Sequence, residues 1–411
     1  MSSLSIASYF PFTRVKVMSQ SVHDGGALIQ VQPDRRWRPL CHDCRSPAGT
    51  IHSQGHRRMI RDLNLADRQV WLQVGYRKVW CPRCGKTRVE HLSFCDSPQR
   101  LTHRLRRYVY DLCKRLPVTE VAEHLDLDPK TVKAIDQEFL QEEFGPTDYE
   151  GLRVLAIDEI AFKKGGRDFL TVVLDYDTGR VVWTGEGHDK ETLDRFFAGM
   201  TAEQKAALQA VALDMWDPYI NRIQHHCPQA LIVFDLFHLV KGYSFVIDEV
   251  RREEVRKAVG PMKPVIKGSR YLLLKNRENL RPDQADRLDE LLKLNENLNR
   301  VYVLKDQFKM IYHYKRRPAA KAALDAWIAM AERIDTYPMA QFIKTLRRFE
   351  YGILNHCRFP IGTSRLEGVN NKIKVIKRKA YGFHDPVYFG LKIKQAFPGD
   401  AKERKTTNCL G

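Results

Sequence analysis

The sequence lacks any apolar run near the roughly eighteen residues needed to cross a bilayer, so no membrane span is expected. Its first twenty residues, MSSLSIASYFPFTRVKVMSQ, lack a basic start, a sustained apolar stretch and a small-residue cleavage site. An intracellular protein is therefore expected. There is no internal repeat. Acidic residues are in deficit: 50 against 68 basic ones give a formal charge of +18. That excess favours a polyanionic partner such as DNA or RNA, although a protein can be basic without one, so motifs must decide. Cysteine is scarce and odd in number, nine in 411 residues. Four of the nine sit in two tight pairs, which suits metal binding in a reducing compartment better than a disulfide framework. The length allows two to four domains with ordinary cores.

What is present begins with those pairs. Cys41-His42-Asp43-Cys44 and Cys81-Pro82-Arg83-Cys84-Gly85 are two CxxC knuckles. Each presents two thiolates from one tight turn, and together Cys41, Cys44, Cys81 and Cys84 complete a tetrahedral zinc site. Val70–Val74 and Tyr76–Trp80 alternate as strands that bring the second knuckle back to the first. His42, His52 and His56 are unneeded as substitutes, and Cys95, Cys113, Cys227, Cys357 and Cys409 read as ordinary thiols. Basic residues surround the knuckles (Arg35, Arg36, Arg38, His56, Arg57, Arg58, Arg61, Arg83, Lys86, Arg88), pointing to DNA, with a purely structural zinc brace as the alternative.

A helical segment from about Leu101 to Gln141 follows. Within it Pro117–Val132 has the cadence of a helix-turn-helix. Val121, Ala122 and Leu125 pack the first helix, Leu127 plugs the turn, and Val132 and Ile135 pack back. Asp126 stands at the usual turn glycine and tolerates a left-handed backbone better than most residues. Asp128 caps the second helix with Pro129 at its first position. Lys130, Thr131 and Lys133 would then face a major groove; a plain helical pair linking two domains is the alternative.

After Gly145-Pro146 the chain turns β-rich. The order is strand, strand, strand, helix, strand, helix, strand: Arg153–Ile157 ending at Asp158, Phe169–Asp175, Val181–Gly185, a helix Lys190–Leu208, Ala210–Leu213 ending at Asp214, and Ala230–Phe234. In a sheet of order 3-2-1-4-5 the first and fourth strands are neighbours, which sets Asp158 beside Asp214. Two such carboxylates repel unless cations neutralise them, so the pair points to magnesium or manganese. From Leu239 to Cys357 the pattern becomes long amphipathic helices, with leucines at helical spacing over Asp283–Tyr302 and a similar pattern over Ala319–Ile334. Gly362-Thr363-Ser364 opens a last helix on which Glu367, Asn370, Asn371, Lys374 and Arg378 share a face. Glu367 can complete a two-metal site for phosphodiester attack; a solvated basic helix with one internally paired Glu fits the same pattern.

The strand order, AIDE, LDMWDPY, FDLFHLVK and SRLEGVNNKIKVIKRKAYGF together resemble the ISL-three family of bacterial insertion-sequence transposases, from about Cys41 to Phe397. The resemblance implies a multidomain α/β protein: an RNase H-like catalytic core with an all-α insertion, preceded by a four-cysteine zinc module and a helix-turn-helix. It implies a DDE transposase in which Asp158, Asp214 and Glu367 are the catalytic acids. Asp217 and Asp235 compete for the second place; the strand order favours Asp214. Asp235 and His238 then act behind the catalytic acids or position DNA, with a satisfied core histidine as the alternative for His238.

The expected layout is a zinc module over residues 1–97, a helix-turn-helix over 98–146, the first part of the core over 150–240, a helical insertion over 241–360, a final core helix over 361–397 and a disordered tail over 398–411. Asn371, Lys374, Lys377, Arg378 and Lys379 are expected to hold DNA phosphates. The partners would be double-stranded DNA, both terminal inverted repeats and target, and a second copy of the chain or a higher oligomer. A bacterial cytoplasmic, nucleoid-associated location follows. A non-catalytic DNA-binding regulator and a nuclease that cannot join strands are the competing functions.

Overall fold

The computed structural model describes residues 10, 12–23, 26–96, 98–162, 168–361 and 363–399. They form two compact units, Met1–Phe139 and Leu140–Gly411. Gly362, Cys409 and all of the expected tail except Pro398 and Gly399 lie outside the described residues.

The first unit is built on a five-stranded sheet: β1 (Val15–His23), β2 (Gly26–Pro33), β3 (Thr50–Leu65), β4 (Arg68–Cys81) and β5 (Lys86–Val89). The order is β1-β2-β4-β3, with β5 also on β4. The two short strands expected over Val70–Trp80 are one long strand. Gly75 does not break it, because it pairs with Arg57 across β3 and the ladder to β2 runs on to Val74. Alternate residues Val70, Leu72 and Val74 pack against Ile29, Val31 and Ile60, the period-2 burial of a half-covered sheet.

Helices His103–Cys113, Val118–Leu125 and Pro129–Phe144 follow. Thr102 caps the first of these, and its hydroxyl also donates to buried Asp62 on β3 at 2.7 Å. Arg104 Nε donates to the same carboxylate at 2.7 Å, fastening the helices to the sheet. Val121, Ala122, Leu125, Val132 and Ile135 are buried together, with Leu127 packed against them.

The second unit carries β6 (Val154–Ala161), β7 (Phe169–Asp175), β8 (Arg180–Glu186), β9 (Ala210–Leu213) and β10 (Leu231–Phe234). The order is β10-β9-β6-β7-β8, which is 5-4-1-2-3 in these strands. β6, β9 and β10 are parallel, while β7 and β8 return antiparallel. β6 does not stop at Asp158. It continues to Ala161 because its antiparallel pairing with β7 outlasts its parallel pairing with β9.

The helix expected over Lys190–Leu208 is two, Lys190–Ala198 and Ala202–Ala207. The break is at Gly199, and Thr201 opens the second with a capping box closed by Gln204. Asp283–Tyr302 also divides, into Pro282–Leu294 and Glu296–Met310, at Asn295, whose side chain caps the second. The remaining helices between β10 and the last two include Leu236–Lys257, Arg317–Ala331 and Tyr337–Leu354.

Their centre is an aromatic cluster in which Trp327 meets Phe308 at 5.0 Å and Tyr243 at 5.4 Å between ring centroids. The indole N–H donates to the Leu304 carbonyl at 2.9 Å, so the ring is buried without an orphaned donor. These helices are seated on β10. Buried Asn355 donates to the Ile232 carbonyl at 2.8 Å, and Gly352 lets Phe234 approach so closely that a Cβ there would fall 2.4 Å from its ring.

The chain ends in helices Thr363–Lys379 and Pro386–Ala396. The second lies on β8, where a Cβ on Gly390 would meet Thr184 Oγ1 at 2.2 Å. Among the described residues no helix is long and apolar enough to cross a membrane.

Candidate active site and metal centre

The four knuckle cysteines converge. Their sulfurs lie within 4.8 Å of one another, with Cys44 Sγ 3.4 Å from Cys81 Sγ and Cys41 Sγ 3.9 Å from Cys84 Sγ. Both knuckles use the same turn, Arg45 N–H to Cys41 O at 3.1 Å and Gly85 N–H to Cys81 O at 2.9 Å. Arg45 and Gly85 adopt positive φ to make it. Hydrogen bonds from Cys44 and Cys81 push the Cys84 thiol up to about 12. Four sulfurs so crowded fit a cation that takes thiolate ligands, as zinc does. Of the expected DNA-facing residues nearby, Arg57 is exposed. Arg58 is not free to reach outward: it turns to the Cys95 sulfur and lies 5.7 Å over the Tyr76 ring.

In the helix pair, Asp126 takes the left-handed conformation (φ 51°, ψ 54°). Asp128 accepts from the Thr131 N–H at 3.0 Å. Lys130 and Thr131 are exposed and Lys133 is half-buried.

The carboxylates gather in the second unit. β6 pairs Ala156 with Ala212 on β9, and β9 pairs Leu213 with Phe234 on β10. Running each parallel ladder on by two residues and one residue sets Asp158, Asp214 and Asp235 at the same level of three adjacent strands. Contacts agree with that level. His238 Nδ1 lies 2.9 Å from Asp214 Oδ1 and 3.6 Å from Asp235 Oδ2. Both contacts are ion pairs rather than hydrogen bonds, the one to Asp235 being too long for one. Asp235 also caps Leu236–Lys257, accepting from the Phe237 N–H at 3.0 Å.

Charge in this row is tightly balanced. Burial pushes the Asp158 carboxyl up, as does the Asp214 charge, while the Asn370 amide, the Glu159 N–H and His238 pull it down. Burial of the His238 ring opposes protonation, yet pairing with Asp214 and then Asp235 outweighs it and raises the imidazole to about 10. Burial, then the charges of Asp158 and Asp214, push Glu159 up to about 7. Glu159 is the functional candidate that sequence reasoning passed over. Strand alternation turns attention to Asp158, and only the second acid of AIDE marks its neighbour.

Helix Thr363–Lys379 closes the site. Asn370 donates to Asp158 Oδ2, and Glu367 sits one turn before it. Lys377 Nζ donates to the Ala161 carbonyl at 2.8 Å, so it anchors the helix to β6 and is not wholly available to DNA. Arg365 binds the Tyr176 carbonyl at 2.5 Å and stacks over that ring. The cleft so formed, of about 1270 Å³, is lined by Asp158, Asp235 and His238 on one side and by Glu367, Asn371, Lys374 and Arg378 on the other. Lys379 is exposed outside this lining. Among the described residues only the four cysteines bring three or more metal donors to such close range. Asp158 and Glu367 line one cleft, and with Asp214 they do not form a group of three as close as the cysteines. Asp217 is drawn elsewhere, pairing with Arg348 at 2.8 Å.

A transposase family model matches residues 155–393, which takes in the second sheet, the helices after it and the closing helix. A second, the helix-turn-helix domain of transposase family ISL3, matches residues 90–140. The chain belongs to transposase family ISL3. It is 41% identical over 366 residues to the transposase of insertion sequence element IS1001 from Bordetella parapertussis, covering 88% of this chain and 90% of that one. It is 29% identical to the transposase of IS1557 from Mycobacterium tuberculosis, covering 88% and 87%. As an ISL3 transposase the chain has a DNA-binding helix-turn-helix and a domain of the kind that works with divalent metal.

Proposed function

We propose that this transposase binds the terminal inverted repeats of its own element, cuts at the element's ends and joins the freed 3′ ends to target DNA. The observation that carries the reading is one cleft that holds Asp158 on its floor and Glu367 on its closing helix, with Asp214 at the level of Asp158 on the next strand. The strand order supports an RNase H-like core, with residues 241–360 as its insertion and residues 361–397 returning to complete it.

Asp158, Asp214 and Glu367 would hold magnesium or manganese, and the crowded negative charge around Asp158 fits such a cation. Bound there, a divalent ion would supply Lewis-acid activation of the attacking oxygen and neutralise charge on the phosphodiester. The chain's own groups orient that chemistry. Asn370 fixes one oxygen of Asp158 and the Glu159 N–H the other, while His238 holds Asp214 and Asp235 in place. Lys374, Arg378 and Asn371 offer cations and an amide to the DNA backbone beside them.

Cys41, Cys44, Cys81 and Cys84 would hold zinc and, with Lys130, Thr131, Lys133 and Arg57, present the end-binding surface. Two ends must be handled together, so the working form is a homodimer or higher oligomer on DNA.

The test is a reaction of purified protein with DNA carrying the element's ends, a target plasmid and magnesium. Cut ends followed by joined products are expected. Binding without cutting would show a regulator instead, and cutting without joining a nuclease.

A further inference from the structure

Rings on both walls of the cleft bear on what form of DNA enters it. Tyr381 lines the cleft and is 91% exposed, with its backbone at φ 54°. A bulky residue in the left-handed region is strained, and its exposed ring gains nothing from burial. The strain is held in place by the end of helix Thr363–Lys379, where Tyr381 N–H bonds to Arg378 O at 3.0 Å and Gly382 N–H to Lys377 O at 2.9 Å. A fixed turn therefore presents the ring.

Across the cleft, Phe237 is 45% exposed beside its cap Asp235. Lys241 lines the cleft one turn further along the same helix, and Phe245, 64% exposed, follows one turn beyond. The cleft thus carries rings and cations from two helices: Phe237 and Lys241 from one, Lys374, Arg378 and the following Tyr381 from the other.

Duplex DNA shows its walls phosphates and groove edges, and its base faces are stacked away. Cations alone would serve it; exposed rings would meet nothing they can stack on. An unpaired strand offers every base face, and rings interleaved with cations are the surface that such a strand fits. Building on the proposed function, we propose that the cleft takes one unpaired strand of DNA at the reacting end, with bases stacked on Tyr381 and Phe237 and phosphates held by Lys241, Lys374 and Arg378. The end of the element is opened before it is cut.

The test uses the full chain without added divalent ion, so that no cleavage occurs. The probe is a DNA with a fluorescent 2-aminopurine in a short unpaired stretch beside a duplex, compared with the same DNA fully paired. Wild type should bind the unpaired probe with quenching of the fluorescence. Tyr381→Ala should relieve the quenching and weaken binding of this probe about tenfold, with no change for the paired probe. Tyr381→Phe should restore both. Because Tyr381 buries so little, loss of folding does not explain a loss of binding. Equal quenching and affinity for Tyr381→Ala and wild type, or equal weakening on both probes, would overturn the proposal. A wild-type protein that quenches the unpaired probe but never cuts would sink the transposition reading and leave this one standing. Cutting and joining with quenching untouched by Tyr381→Ala would do the reverse.

Discussion

Three aspartates at one level of adjacent parallel strands repel, and burial sharpens the repulsion. His238 answers it, reaching Asp214 and Asp235 from the first turn of the helix that Asp235 itself caps. Asp235→Asn and His238→Ala should each lower magnesium-dependent cleavage about 10- to 100-fold while leaving DNA affinity unchanged, as loss of a partner behind a metal ligand generally does. Cleavage rates beside filter-binding affinities check this; unchanged rates would reduce both residues to structural caps. Asn370 occupies the corresponding place at Asp158. That Asp158 and Asp214 belong to neighbouring strands was legible from apolar strands that end near an acid. Asp235 was set aside only as the second catalytic acid, since its strand does not neighbour the first, and was expected with His238 behind the acids or positioning DNA; the sequence did not show that His238 reaches Asp214 as well.

At the scale of the element, the helix-turn-helix was legible almost to the residue. Leu127, Asp126 and Asp128 each have a chemistry that fits one position only: plug, left-handed corner and cap. Asp126→Val should cost about 1–2 kcal/mol, because a β-branched side chain is strained where φ is positive, and Asp126→Gly should be tolerated. Thermal denaturation of the two variants measures the difference. The gathering of the four knuckle cysteines was equally plain, since two CxxC turns admit few other readings. Cys44→Ser should lower the zinc content of the purified protein, and with it the affinity for duplex DNA; metal analysis finding no zinc in wild type would remove the claim. Element ends were less legible. Gly75 looked like a break and is paired with Arg57 in mid-strand, whereas Gly199 broke a run that read as one helix and Asn295 one whose leucines kept helical spacing. Local propensity could not separate those cases, because cross-strand partners and caps decide them.

For the molecule as a whole, the second sheet and the helices that follow it share one core, so residues remote from the cleft support it. Trp327→Ala removes the centre of the aromatic cluster and should destabilise the protein by about 3–5 kcal/mol, read as a lowered denaturation midpoint. The charge of +18 sets a second whole-molecule property. DNA affinity should fall steeply with salt, and Lys374→Ala should lessen that slope by about one if its ammonium meets a phosphate.

The central claim is that Asp158, Asp214 and Glu367 act together on DNA, and Asp214 is the member with rivals, Asp217 three residues on and Asp235 beside it at His238. The direct measurement is magnesium-dependent cleavage of element-end DNA by Asp214→Asn and Asp217→Asn, each at protein concentrations that saturate binding. Asp214→Asn should bind normally and cut below detection, and Asp217→Asn should cut at close to the wild-type rate. Cleavage retained by Asp214→Asn, or lost instead in Asp217→Asn, would contradict the claim.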